Sequence, residues 1–121
     1  MEQPRTIKEV KGSAVTWLNV EATTPNEVDY LQELFHFHSL DLKDCLPPTQ
    51  RPKLVARPHY IFMILLFPIF DRVTRKIKPV EVDFFVNGNT LVTVHERNLP
   101  PLMELFEAVS AGKSPELLEN S

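Results

Sequence analysis

Two histidines and two aspartates within nine residues, His36, His38, Asp41 and Asp44, form the densest group of metal-ligating side chains in the sequence. Imidazole and carboxylate together suit a transition metal. Asp41 and Asp44, spaced i and i+3 on a predicted helix, would offer oxygen to a hard divalent ion such as Mg²⁺. Each feature also has a structural reading. Phe37 buried at a helix end leaves both histidines at the solvent edge, near a C-terminus that suits them, and Asp41 in a first helical turn complements the helix dipole. No other catalytic pattern accompanies the group. The three glycines form no phosphate loop, the single cysteine, Cys45, builds neither a zinc site nor an intrachain disulfide, and no serine sits in a nucleophile elbow. The sequence is read as non-enzymatic.

The elements that position these residues follow from periodicity and punctuation. Val15–Val20 is β-branched and aromatic and predicts a strand. Thr24 as N-cap, Pro25 at the first helical position and Glu27 at the third make a capping box. Val28, Leu31, Leu34 and Phe35 then supply one apolar stripe, predicting a helix to about His36. Leu40–Leu46 reads as a short helix capped by Ser39 or Asp41 and ended by Pro47 and Pro48, followed by a linker with Arg51, Pro52 and Lys53. Tyr60–Phe67 is a continuous apolar run, predicting a central strand covered on both faces that Pro68 ends or bulges. Ile77–Val86 puts Val80, Val82 and Phe84 on one side and Glu81 and Asp83 on the other. Asn87-Gly88-Asn89 turns it into Leu91–His95. Pro100–Ala111 is helical with Gly112 as its stop. Leu117 and Leu118 begin an apolar pattern with no room to develop.

With 121 residues, 43% apolar and 24% charged, the chain suits one globular domain, residues 1–121 with its core at about 15–111. The expected fold class is α/β (α+β), a mixed β-sheet sandwiched between helical layers. The chain's overall net charge of −3 gives no drive toward nucleic acid or an anionic membrane. No N-terminal apolar run resembles a signal peptide. The longest apolar run, 61–70, is half of what a membrane-spanning helix needs, about 20 residues, so the chain is expected to be soluble.

The order of short motifs carries more than their chemistry. Thr16-Trp17-Leu18-Asn19-Val20, Leu34-Phe35-His36-Phe37-His38-Ser39-Leu40, Leu42-Lys43-Asp44-Cys45-Leu46 and Gln50-Arg51-Pro52-Lys53 follow one another at compatible spacing. With Tyr60–Leu65 and Asn89–His95 added, the series resembles the N-terminal cytoplasmic domain of the CorA family of Mg²⁺ transporters across roughly 15–109. The family's pattern has Gly and Pro where His36 and Ser39 stand, and Glu where Lys43 stands. The resemblance implies a piece that stops before the long helices and transmembrane segments. It also implies a cytosolic regulatory domain on the cytoplasmic face of the membrane, meeting the membrane only through those segments. Its partners would be the rest of its own chain and identical subunits of a pentamer. Asp44 matches an acid that binds regulatory Mg²⁺ between protomers, so Mg²⁺ or another divalent ion (Co²⁺, Ni²⁺ or Zn²⁺), weakly bound, is implied there, with Asp41 a lesser candidate. Trp17, His38, Arg51 and Lys53 are given structural roles. A free-standing, non-catalytic interaction domain of the same fold is the alternative.

Overall fold

The computed structural model of the chain describes residues 2–46, 51–96 and 100–112. The predicted stop at Pro47 and Pro48, Gln50 of the fourth motif, and Leu117 and Leu118 lie outside them. Among the described residues six strands and three helices follow in the order β1 (Ile7–Lys11), β2 (Thr16–Val20), α1 (Pro25–Phe35), α2 (Ser39–Asp44), β3 (Lys53–Ala56), β4 (Ile61–Asp71), β5 (Lys76–Val86), β6 (Thr90–Val94) and α3 (Pro100–Ser110). The strands form one mixed sheet, β1-β2-β6-β5-β4-β3. Only β2 and β6 are parallel, with Thr16 opposite Thr90 and Val20 opposite Val94. α1 and α2 cover one face through Leu18, Val20, Leu31, Leu42, Phe62, Ile64, Phe85 and Val92. α3 packs on the other through Trp17, Phe106 and Val109, with Phe106 edge-on to the indole at 4.8 Å. The expected sandwich of helices around a mixed sheet is the observed fold.

Local chemistry explains the elements. Thr24 and Glu27 form the capping box of α1, with Thr24 N–H donating to Glu27 Oε1 at 3.1 Å. Burial raises the Glu27 pKa, but the Thr24 and Thr6 hydroxyls bonded to it outweigh burial and lower it overall. The apolar stripe of α1 is narrower than expected: Val28 and Leu31 are buried, whereas Leu34 stays exposed. The β5–β6 turn has no left-handed glycine. Instead Asn87 Oδ1 accepts from Asn89 and Thr90 N–H at 2.9 and 2.8 Å. Gly112, at φ +77°, ends α3 as expected, its N–H donating to the Val109 carbonyl.

Three expectations need correction. Lys53, expected in a linker, opens a strand, 53–56, and neither this strand nor the one at 7–11 was announced by the sequence pattern. The apolar run at 60–67 is not central: β4 lies second from the edge, with Phe62 and Ile64 buried but Ile61 and Leu65 exposed. Pro68 neither ends nor bulges it, because β4 continues through Pro68, opposite Pro79, to Asp71. β3 flanks β4 only at 61–64, and β6 flanks β5 only at 83–86. Both prolines therefore stand where one side of the strand is open, and a missing N–H costs no ladder bond. Residues 65–71 and 76–82 form a two-stranded ribbon running past the rest of the sheet.

A buried polar chain joins the parallel pair. Trp17 Nε1–H donates to Thr93 Oγ1 at 2.9 Å, Thr93 Oγ1 donates to Asn19 Oδ1 at 2.7 Å, and His95 Nε2 lies 2.9 Å from the same oxygen. Trp17 is buried, as its structural role requires.

Candidate functional site

The ligating residues singled out by sequence sit on and around α2, and the structure sends them to different tasks. His36 follows α1 in the left-handed region, φ +57° and ψ +40°, and caps that helix with its N–H on the Gln32 carbonyl. His38, not Ser39 or Asp41, is the N-cap of α2: its Nδ1 accepts from Leu40 N–H at 3.1 Å. The structural role expected of His38 is, in this fold, a helix cap.

Asp41 is wholly buried. Arg57 grips it with two bonds, Nε to Oδ2 at 3.0 Å and Nη2 to Oδ1 at 2.7 Å, and the Tyr60 hydroxyl donates to Oδ2 at 2.6 Å. The same hydroxyl accepts from His38 N–H at 2.8 Å. Burial works to raise the Asp41 pKa, but the bonds from Arg57 and Tyr60 prevail and hold it below the usual carboxylate range. Both carboxylate oxygens are engaged, and Asp41 fastens α2 to the β3–β4 connection.

Asp44 is the last residue of α2, with 26% of its side chain exposed. Lys53 Nζ reaches its Oδ2 at 2.7 Å. The pair lies in an open cleft of about 510 Å³ lined by Asp44, Arg51, Pro52 and Lys53. Lys53 thus ties the start of β3 to the end of α2 through a carboxylate, a structural role but not that of fixing a linker. Asp41 and Asp44 do not converge on one centre, and among the described residues no three His, Cys, Asp or Glu side chains are grouped to hold a metal. The four-residue transition-metal set is not assembled.

Sequence reasoning missed a second acidic pair beneath α2. Glu81 and Asp83, alternate residues of β5, are 7% and 1% exposed. Asp83 Oδ1 has no hydrogen-bond partner. Burial first, then the neighbouring Glu81 carboxyl, push the Asp83 pKa up to about 9, and Asp44 contributes in the same direction. Cys45 lies against this pair, its thiol 3.6 Å from the Asp41 carbonyl. Burial and the surrounding acids raise its pKa, keeping it an unreactive thiol. The available signal was the acid–apolar alternation of β5 beside a helix rich in acids.

Comparison with known structures places the fold first. The soluble domain of CorA from Methanocaldococcus jannaschii matches with a TM-score of 0.66 at 17% identity, over 81% of this chain and 38% of that one. The ZntB cytoplasmic domain from Vibrio parahaemolyticus matches with a TM-score of 0.66 at 15% identity, over 84% and 41%. The mixed sheet with helices on both faces is the soluble-domain fold of CorA. Sequence comparison then fixes kinship: residues 12–119 match the CorA-like Mg2+ transporter protein family, and the chain belongs to it. YfjQ of Bacillus subtilis, which is named as a metal ion transporter, is 30% identical over 115 residues, 93% of this chain and 34% of that protein. The cobalt/magnesium transport protein CorA of Thermotoga maritima is 28% identical over 88 residues, 70% of this chain and 24% of that protein. The chain spans about a third or less of the length of these relatives.

Proposed function

We propose that this chain is the cytosolic regulatory part of a CorA-like divalent-cation transporter, in which a divalent ion at Asp44 joins neighbouring copies and controls gating. One observation carries the reading. Of the two acids on α2, only Asp44 ends in an open cleft, held by one flexible lysine, whereas Asp41 is consumed by Arg57 and Tyr60. A hard divalent ion that keeps most of its water can be bound by one carboxylate from each of two chains. The second carboxylate would come from an adjacent copy of the longer protein.

The competition with Lys53 makes the site weak, as a regulatory site must be if it is to respond to changes in ion concentration. A bound ion has to displace an ammonium already 2.7 Å from Oδ2. Lys43, which is exposed one residue before Asp44, adds a second nearby cation and favours a site with one acid per chain. The transported ion is taken to be Mg²⁺ or a transition-metal relative. The assembly is taken to be a pentamer at the cytoplasmic face of the membrane, and the domain itself catalyses nothing.

The test is Asp44→Ala in the full-length transporter. Mg²⁺-dependent inhibition of ion uptake should weaken, with the half-inhibiting concentration rising several-fold. Unchanged inhibition with a folded, active protein would remove Asp44 from the mechanism.

A further inference from the structure

We infer that the tip of the β4–β5 ribbon is a contact site for an anionic lipid bilayer. The inference is independent of the cation reading of Asp44. Residues 71–78 carry Arg72, Arg75, Lys76 and Lys78 against the single acid Asp71, a net +3 in a chain whose total is −3. That acid is used up inside the turn. Asp71 Oδ1 accepts from Val73 and Thr74 N–H at 2.9 and 3.3 Å, its carbonyl accepts from Arg75 N–H at 2.7 Å, and Lys78 Nζ stands 3.1 Å from Oδ2. Neutralising Asp71 with Lys78 leaves Arg72, Arg75 and Lys76 around a defined turn.

The same turn shows apolar surface that the fold leaves uncovered. Val73 at the apex is 93% exposed, and Ile77 and Phe70, which face each other across the ribbon, are 67% and 57% exposed. An isolated two-stranded ribbon is marginal in water. Here its base is held, because Val80 and Val82 pack with Phe67, Ile69 and Leu102 of α3. The tip is therefore a supported projection that ends in three cations and three apolar side chains. A nucleic acid or an acidic peptide would satisfy the cations but give Val73, Phe70 and Ile77 little to enter. The headgroup boundary of an anionic bilayer accepts both: cations at the phosphates and apolar groups just below.

The experiment sediments the 121-residue chain with vesicles of phosphatidylcholine alone or with about 30 mol % phosphatidylglycerol. The expected result is roughly tenfold more chain on the anionic vesicles, lost in about 0.5 M salt. Arg72→Glu with Arg75→Glu should abolish the difference, and Val73→Asp should reduce it. All of these side chains are exposed, so unaltered circular dichroism would verify that the variants fold. A Val73→Trp variant adds an independent reading: its emission should shift to the blue with anionic vesicles, above a constant background from buried Trp17. Equal binding to both vesicles, no binding, or full binding by the charge-reversed variant would overturn the inference. Retention on an immobilised polyanion without vesicle binding would also overturn it, in favour of an acidic macromolecule.

Discussion

Asp83 is the residue at which folding and charge are most at odds. A carboxyl placed under α2 at 1% exposure, beside Glu81, is held protonated until about pH 9. Its folded pKa stands above the unfolded value, so the native state binds the extra proton. This group's penalty is absent below about pH 4 and grows as pH rises toward 9, where it levels off. Asp83→Asn keeps the shape and removes the ionisation. Chemical denaturation should find the variant nearly equal to the parent at pH 4 and increasingly more stable as pH rises, by up to about 5 kcal/mol at pH 8. A variant less stable at both pH values would show that the acid itself holds α2 in place. Only the sidedness of this pair was legible in sequence. The alternation Val80-Glu81-Val82-Asp83 sorts residues to two faces, but only tertiary packing decides that both faces are dry. Asp41 hid for a related reason. Its partner Arg57 lies 16 residues away in a segment without regular periodicity, so spacing on α2 presented it as the twin of Asp44.

At the scale of elements, the legible parts were those with strong local punctuation. The capping box of α1, the Asn-Gly turn and the glycine stop of α3 are set by backbone chemistry within a few residues. The edge strands β1 and β3 were missed because IKEVK and KLVA lack a long β-rich run. Their strand state comes from pairing with β2 and β4. The charged residues Lys8, Glu9 and Lys11 of β1 also discourage pairing of that edge with other chains. The junction of α1 and α2 holds a local conflict: His36 adopts the left-handed conformation that helix C-termini usually assign to glycine, at the position where the CorA pattern has one. His36→Gly should therefore stabilise the domain by about 0.5–1 kcal/mol, raising Tm by a few degrees. A lower Tm would mean that the imidazole contributes more than its backbone strain costs.

For the whole molecule, the expected mixed sheet with helices on both faces is what the described residues form, and the resemblance found in ordered motifs is the family found by comparison. The motif series carried more information than composition did, because −3 and 43% apolar suit countless folds. The pentamer is proposed for a full-length transporter, in which segments outside these 121 residues would supply most subunit contacts. In light scattering the isolated 121-residue chain should give the mass of one copy, approaching two only at high concentration. A stable mass of five copies would place those contacts within this domain.

The parallel pairing of β2 with β6 also sets an order of events during synthesis. Thr16 meets Thr90, so the inner edge of β2 has no partner until more than 70 further residues have been made. At typical translation speeds that wait lasts roughly 4–15 s. β1 can pair with the outer edge at once, leaving a nascent two-stranded unit with one open side. The hairpin of β5 and β6 must then enter beside it as a preformed unit. Domain assembly is accordingly a late, long-range event with high contact order, slower than its local turns would imply.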